Sequence, residues 1–352
     1  MSEKAPRLET GKDEGSLDGY RPWPHRWALL VAWTTFPLIW VGNLVTTYDA
    51  GMAVPDWPGT FGYNLFLYPW QTWLFGPWDL FLEHKHRLLA SLVGFLTIGL
   101  VIVVYRQDQR RWMRHLAVWA LVAVIAQGGL GGARVLLVER QLAMLHGSIG
   151  PAFFAYCVAL CAVTSRWWHQ QKATPGDANG FQRVSVLAVV LLAYIQLVLG
   201  ALLRHVPEAA STMYFEVAVW SHLIGAGLLL GAASFVSILM IRGPVGDSSF
   251  RWLGSVLLLL VGAQIAFGCA TWVMKYHWPT FVGQTPITRI YALIEAQGML
   301  QSVVATAHAA NGSLLLGVAV LLAVRVLRVY RGSLATKPLA AVAAPAGQSL
   351  SL

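Results

Sequence analysis

The chain contains 352 residues, of which 57% are hydrophobic and only 12% are charged. A soluble domain carries about 25% charged residues, so this composition argues against a water-soluble protein, a disordered chain and a disulfide-rich scaffold. The formal net charge of +9 is interpreted as a sign of membrane orientation rather than of nucleic-acid binding.

Eight apolar segments are each long enough to cross a bilayer, which takes roughly 20 helical residues. They are Trp27–Thr47, His86–Val104, Leu116–Leu136, Leu142–Thr164, Val184–Leu203, Val217–Ile241, Trp252–Met274 and Leu300–Val324. The first segment starts late and seven others follow it, so we interpret it as a span rather than a cleaved signal peptide. The predicted fold is therefore an all-α integral membrane protein with eight transmembrane helices. Residues 1–22 and 336–352 are expected to be disordered tails.

Basic residues are distributed unevenly between the predicted connections. An even number of spans places both termini on one side, and 18 of the 25 lysine and arginine residues fall on that side. By the positive-inside rule, both termini are predicted to lie in the cytoplasm, with the chain in the inner (plasma) membrane.

A short pattern, Gln-x-x-x-Gly, recurs near the outer half of the third, fifth and seventh spans, as Gln127–Gly131, Gln196–Gly200 and Gln264–Gly268. The two residues lie on one helix face, so an amide stands beside a place where another group can approach closely. Three copies at corresponding positions indicate an internal repeat. We predict two pseudo-symmetric four-helix bundles, over residues 23–170 and 180–335.

Four of the ten histidines lie at one depth, at the outer ends of the even-numbered spans: His86, His146, His222 and His308. Polar groups at this depth are costly and usually mark function. One such histidine alone is as readily explained by a hydrogen bond to a neighbouring helix. Four of them favour two axial haem ligand pairs, His86 with His146 and His222 with His308. Zinc is less favoured, because no cysteine and few carboxylates accompany them.

Charged residues stand close to these histidines. Glu83 lies one helical turn before His86 and is predicted to act as a base or proton relay, the alternative being a plain helix cap. Arg87, Arg134 and Arg204 are predicted to pair with haem propionates, the alternative being side chains that mark the membrane interface.

The connection Tyr48–Leu82 is long and rich in proline and aromatic residues. It is predicted to form short amphipathic pieces that cap the bundle, or else a simple interfacial anchor. The six remaining histidines, among them His84 and His205, lie outside or at the edges of the spans and are assigned no function.

Several motifs together resemble those of the haem A synthase family, over about residues 25–330. They are Asp49-Ala-Gly-Met-Ala-Val-Pro-Asp-Trp-Pro58, Glu83-x-x-His86-Arg87, Leu145-His146-Gly147, Ser221-His222-Leu223 and Ala307-His308-Ala309. Each motif is short, and it is their order and placement on the helices that carry the resemblance. Unlike some family members, this chain has no cysteine pair in the first outer connection, so a disulfide route for electrons is not expected.

The resemblance implies an oxidoreductase that converts the C8 methyl group of haem O into the formyl group of haem A, for aa3-type terminal oxidases. It implies substrate haem O between His86 and His146, a haem b cofactor between His222 and His308, and participation of Glu83 in the oxidation. Haem O synthase and oxidase assembly proteins are the implied partners, together with the lipid bilayer.

Two other functions are compatible with the same histidines. A non-catalytic di-haem cytochrome that relays electrons from quinol needs all four, but it has no obvious need for Glu83 beside one haem only. A transporter would use the histidines as proton-coupled sites. Against it, the chain shows no matched pair of Gly/Pro-broken helices, since Pro37 and Pro151 are not in equivalent positions.

Overall fold

The computed structural model describes residues 20–171, 180–207, 209–242, 248–276 and 298–329. The regular structure in these ranges is helical, apart from a single β-bridge between Thr60 and Tyr63. The predicted disordered tails lie outside the described residues, except for the last three residues of the first one.

Eight helices are long and apolar enough to cross a membrane, which confirms the predicted fold class. They are α1 (Pro22–Thr47), α2 (Trp78–Gln107), α3 (Arg111–Leu137), α4 (Arg140–Thr164), α5 (Gly180–Arg204), α6 (Thr212–Arg242), α7 (Ser248–Tyr276) and α8 (Met299–Val329). Seven of these helices extend only a few residues beyond the predicted span, at one end or at both.

The start of α2 is the exception, because this helix begins at Trp78, eight residues before the predicted span. Pro77 precedes the first turn, and Asp79 lies within it, where an acidic side chain favours the positive end of the helix dipole. Glu83 therefore lies inside α2, beyond the first turn. The alternative that Glu83 is a plain N-terminal cap is wrong.

The helix contacts form two rings of four. In the first ring α1 contacts α2 and α4, and α3 contacts α2 and α4; in the second ring α5 contacts α6 and α8, and α7 contacts α6 and α8. This arrangement is consistent with the predicted pair of four-helix bundles. The rings meet mainly where α8 packs on α4 and α1. Accordingly, 56% of the most apolar stretch of α4 and of α8 is buried, against 33% or less in the other six helices.

Each ring has a closely packed hydrophobic core, and both cores lie in the half of the bundle that contains the start of α1 and the end of α8. Val31, Leu100, Met113 and Leu160 are fully buried in the first ring, and residues such as Leu257 and Leu322 are buried in the second. In a bilayer such contacts stabilise by close packing, since lipid tails are as apolar as leucine. The histidines lie beyond these cores, toward the opposite ends of the helices.

Candidate functional site

The structure brings the four predicted histidines together in the two predicted pairs. The ring centroids of His86 and His146 are 6.2 Å apart with the ring planes at 83°. Those of His222 and His308 are 6.3 Å apart at 77°. The two rings of helices therefore present nearly the same imidazole geometry at equivalent places.

A glycine on the preceding helix supports each histidine ring. An added Cβ would come 2.9 Å from His86 Cε1 at Gly42, 3.0 Å from His146 Cε1 at Gly131, 3.3 Å from His222 Cε1 at Gly200 and 3.1 Å from His308 Cε1 at Gly268. Three of these glycines belong to the predicted repeat. The fourth, Gly42, was missed because Leu38 stands where the other helices have glutamine.

The imidazoles fit a metal that binds two histidines on opposite sides. Nδ1 of His86, His146 and His308 is buried, and the three imidazoles interact with the backbone of Leu38, Gln127 and Gln264 on the preceding helices. With Nδ1 turned toward the protein, Nε2 is the candidate ligand atom.

The spacing within each pair supports the same interpretation. Two metal–imidazole bonds of about 2.0 Å, with the ring centres roughly another 1.1 Å beyond each nitrogen, place the centroids about 6.2 Å apart. The observed spacings are 6.2 and 6.3 Å. No group of three or more His, Cys, Asp or Glu side chains that could enclose a metal occurs in the described part of the chain. The donor set thus suits a haem iron, with its four equatorial nitrogens, rather than tetrahedral zinc.

The repeated glutamines connect neighbouring helices at the level of the histidines. Gln127 Nε2 donates to the His146 carbonyl oxygen at 2.7 Å. Gln196 Nε2 donates to the His222 carbonyl oxygen at 2.8 Å and lies 3.0 Å from His222 Nδ1. Gln264 Oε1 accepts a hydrogen bond of 2.7 Å from Asn311, one turn after His308. Each amide thus fixes a histidine-bearing helix against its neighbour.

Valine at Gly268 is expected to reduce the haem retained per chain at least tenfold, because its branched side chain would displace the His308 ring. The matched control is valine at Gly262 on the same helix, where an added Cβ meets no atom within 4 Å. Pyridine haemochrome absorbance per mole of purified protein measures both variants. Equal haem in the two proteins would contradict the supporting role of the glycine.

Glu83 and Arg87 form a buried ion pair that holds the outer connection. Arg87 Nη2 donates to Glu83 Oε1 at 2.7 Å and to the Val54 carbonyl oxygen at 2.8 Å. Arg87 Nη1 donates to the carbonyl oxygens of Asp56 and Gly59 at 2.6 and 2.8 Å. All four hydrogens of the two terminal nitrogens are thereby used. This arrangement favours a positioning role for Arg87, and its predicted pairing with a propionate stays a prediction.

The carboxylate of Glu83 is itself held on both sides. Oε1 accepts from Arg87, and Oε2 accepts from the backbone N–H of Val54 at 2.9 Å. The residue is 2% exposed and lies one turn before His86 on the same helix. The segment Val54–Gly59, which contains the Pro-Asp-Trp-Pro motif, is consequently fastened directly beside the first histidine pair.

His84 anchors the same connection from another side, although the sequence analysis assigned it no function. It is 1% exposed, and its Nδ1 lies 3.1 Å from Thr60 Oγ1. Its ring packs against Tyr68 and Trp73, at centroid distances of 5.4 and 5.0 Å. Nothing in the spacing of the sequence distinguishes this histidine, because its partners come from an irregular loop.

Arg134 and Arg204, the other two predicted propionate partners, also bind backbone carbonyls. Arg134 Nη2 donates to Gly51 O at 2.9 Å. Arg204 donates to Asn43 Oδ1 at 2.8 Å and to Asn43 O at 2.7 Å, and its third partner is Thr47 Oγ1. Arg204 thus links the second ring of helices to α1 of the first.

These two arginines lie with Arg140 around His205, and we call Arg134, Arg140 and Arg204 the cationic cluster. Burial lowers the pKa of His205 to about 4, and the positive charges of Arg204, Arg134 and Arg140 contribute to this lowering. Arg134 also acts electrostatically on His86 and His146, and Arg204 on His308. The cluster therefore places positive charge within range of both histidine pairs, where anionic groups of a bound molecule would be stabilised. Sequence reasoning missed Arg140 and His205.

Comparisons with known proteins identify the family of the chain. Residues 78–285 match the model of a family described as "Cytochrome oxidase assembly protein" (COX15-CtaA). A "Heme A synthase" from Shouchella clausii is 28% identical over 254 residues, which are 67% of this chain and 82% of that protein. One from Geobacillus kaustophilus is 26% identical over 67% of this chain and 78% of its own length. One from Bradyrhizobium sp. is 31% identical over a shorter stretch, 33% of this chain and 35% of its own length.

Proposed function

This chain belongs to the family of cytochrome oxidase assembly proteins, and from that premise we propose that it is a haem A synthase, an oxidoreductase that converts haem O to haem A. Several relatives carry that name. The observation in the structure that carries the proposal is the pair of matched bis-histidine sites in an eight-helix membrane protein. The C8 methyl group of haem O is the group oxidised, and the product serves assembly of aa3-type terminal oxidases.

We further propose that substrate haem O binds between His86 and His146 and that a haem b cofactor binds between His222 and His308. An asymmetry between the two pairs supports this assignment. Glu83 lies three residues before His86, whereas the residue three before His222 is Val219. A carboxylate at this spacing thus accompanies the first pair alone, as expected if the oxidation occurs there and the second pair serves electron transfer.

The residues of the chain have distinct tasks in this reaction. The histidines would hold the two macrocycles, and the haem b group would supply one-electron chemistry when bound. Arg134 and Arg204 place positive charge where propionates would lie. Arg87 and Val54 N–H hold the Glu83 carboxylate in place beside His86, and each of its oxygens keeps a further lone pair that would accept a proton released as the methyl group is oxidised. The outer segment Val54–Gly59 is held beside Glu83 and Arg87 and would limit the access of water to the first pair.

The distribution of basic residues supports a proposal for the location of the enzyme, and the hydrophobicity of haem O supports one for its protein partner. We propose an inner-membrane location with both termini in the cytoplasm, supported by the excess of lysine and arginine on that side. A haem O synthase is the proposed protein partner, because haem O is too hydrophobic to cross water freely and would pass directly between the two enzymes.

A non-catalytic di-haem cytochrome is the second candidate, favoured by the nearly identical geometry of the two pairs. Extraction of haem from purified protein, made in cells that also produce haem O, separates the two functions by chromatography with mass analysis. We expect haem A or hydroxylated haem O together with haem b. Haem b alone, at up to two per chain, would replace the synthase by the electron relay, and protein without any haem would overturn both.

A further inference from the structure

An apolar groove with a volume of about 570 Å³ lies between α2 and α3, next to the outer connection. One wall is the side of α2 from Ala90 to Ile98, and the other is the side of α3 from Leu121 to Ile125. Residues between 58 and 66 of the outer connection bound its outer end. The α2 wall alone is about 12 Å long at the rise of an α-helix, a length comparable with that of an extended isoprenoid chain.

Both walls of the groove lead to the first histidine pair. Ala90 follows His86 by one helical turn and therefore lies on the same side of α2. In α3, Ile125 comes two residues before Gln127, whose Nε2 donates to the His146 carbonyl oxygen at 2.7 Å. The groove thus begins near the level of the first pair and runs from there toward the middle of the bilayer.

The outer end of the groove is built by the segment that the ion pair fastens. Gly59 lines the groove, and its carbonyl oxygen accepts a hydrogen bond of 2.8 Å from Arg87. Phe66 of the connection lies against Phe95 of α2, with the ring centroids 6.0 Å apart, and both rings line the groove. The groove is therefore a formed part of the first site, not merely a gap in the lipid-facing surface.

The lining of the groove suits hydrocarbon. No charged side chain belongs to its described lining, and its two polar side chains are engaged within the protein. Ser91 Oγ donates to the Arg87 carbonyl oxygen at 3.0 Å, and Asn64 Oδ1 accepts from the N–H of Phe66 at 2.9 Å. Gly94 widens the groove, because an added Cβ there would meet no atom within 4 Å.

We propose that this groove binds the hydroxyethylfarnesyl chain of haem O, an inference that rests on the proposed substrate site at the first pair. This chain stands on the edge of the macrocycle opposite the two propionates. Arg134 places positive charge on the outer side of the pair, whereas the groove lies on the inner side. The anionic edge and the hydrocarbon chain of one molecule match these two sides. The volume lies in the range of about 300–1,000 Å³ found for pockets that hold drug-sized molecules.

A chain in the groove would give the substrate one orientation. Two axial histidines alone leave a macrocycle free to rotate about the line that joins them. With its chain between α2 and α3, haem O would lose this freedom, and the same methyl group would stand beside Glu83 in every bound molecule. Because lipid tails are as apolar as the groove, its contribution is orientation more than affinity.

The test compares haem O with protohaem, which has a vinyl group in place of the chain, in binding titrations of the full-length protein. Binding that His86→Ala abolishes is assigned to the first pair. Gly94→Leu is expected to weaken the binding of haem O there at least tenfold, because the leucine side chain fills the groove, and to change that of protohaem less than twofold. Leu230 stands at the equivalent place, eight residues after His222, so a helix of this kind accommodates the leucine.

Gly262→Leu is the matched control, because an added Cβ at Gly262 also meets no atom within 4 Å and this residue lies outside the groove. It should leave the binding of both haems unchanged. Unchanged binding of haem O in Gly94→Leu would overturn the groove assignment and leave the substrate site standing. Equal weakening of both haems by Gly94→Leu, or an equal loss of haem O in the control, would also overturn it. If neither haem bound at the first pair of the unmodified protein, the proposed substrate site would fall together with the groove.

A second measurement needs no variant. Haem O that carries a photoreactive group on its farnesyl chain is bound to the unmodified protein and illuminated, and the cross-linked peptides are identified by mass spectrometry. We expect cross-links to residues 90–98 of α2 or 121–125 of α3. Cross-links confined to other helices would overturn the groove assignment.

Discussion

Protein with alanine at His222 is expected to insert in the membrane but to lose the haem b proposed for the second pair at least tenfold, because one of its two proposed ligands is gone. Alanine at His86 should leave that haem in place and abolish formation of haem A, since the first pair is the proposed substrate site. The measurements are haem absorbance per chain and the extracted haem products. The two variants therefore separate cofactor binding from substrate binding.

His115 provides the matched control for both variants, because it is an exposed histidine near the start of α3 and outside both pairs. Alanine at His115 should retain haem and activity. Full haem content in the His222 variant would show that this histidine is not a ligand. Loss of the resident haem in the His86 variant, with retention in the His222 variant, would reverse the assignment of the two sites.

Alanine at Arg87 is expected to release the outer connection and to abolish activity. The change leaves Glu83 buried without its cation, and it deprives the carbonyl oxygens of Val54, Asp56 and Gly59 of their donor. Breaking a buried ion pair by removing one partner costs about 3–5 kcal/mol. Limited proteolysis from the outer side should then cut residues 48–77, which should stay protected in the unmodified protein.

A double variant distinguishes the positioning role of Arg87 from the proposed chemical role of Glu83. With alanine at both Glu83 and Arg87, no unpaired charge remains, so the loss of stability should be smaller than the sum of the two single losses. Activity should nevertheless stay absent, because the proposed proton acceptor is gone. Lys85→Ala is the control on the same helix, since Lys85 lies over the ring of Phe81 and outside the network. A protected outer connection in the Arg87 variant would contradict the fastening role.

The fold was predictable because a helix that crosses a bilayer needs an apolar segment of sufficient length, which is visible in the sequence. Apolar length alone located all eight helices, and the internal repeat indicated the two rings that the helix contacts display. The predicted start of α2 was wrong because the residues from Trp78 to Lys85 include aromatic, acidic and basic side chains, which interrupt the apolar run used to locate the span. Nothing in apolar length reveals that a helix continues through the interface into an outer cap.

The histidine pairs were predictable for a different reason. One histidine per even helix at a common depth can meet another only across a bundle, and the structure brings together those pairs. The network of Arg87 was not predictable, because its partners lie 28 to 33 residues away in an irregular segment. The same applies to His205, which lies near Arg134 and Arg140 only after the two rings have packed together.

Leu38 makes the two histidine sites differ in how long a bound group is expected to stay. In α3, α5 and α7 a glutamine side chain binds the next helix near its histidine, whereas the side chain of Leu38 in α1 has no group that could form such a bond to the helix of His86. A cofactor that stays for the life of the protein benefits from two restrained ligands. A substrate must leave after each turnover, and a less restrained ligand lowers the barrier to dissociation. The missing amide thus favours a short residence time at the first pair, the proposed substrate site.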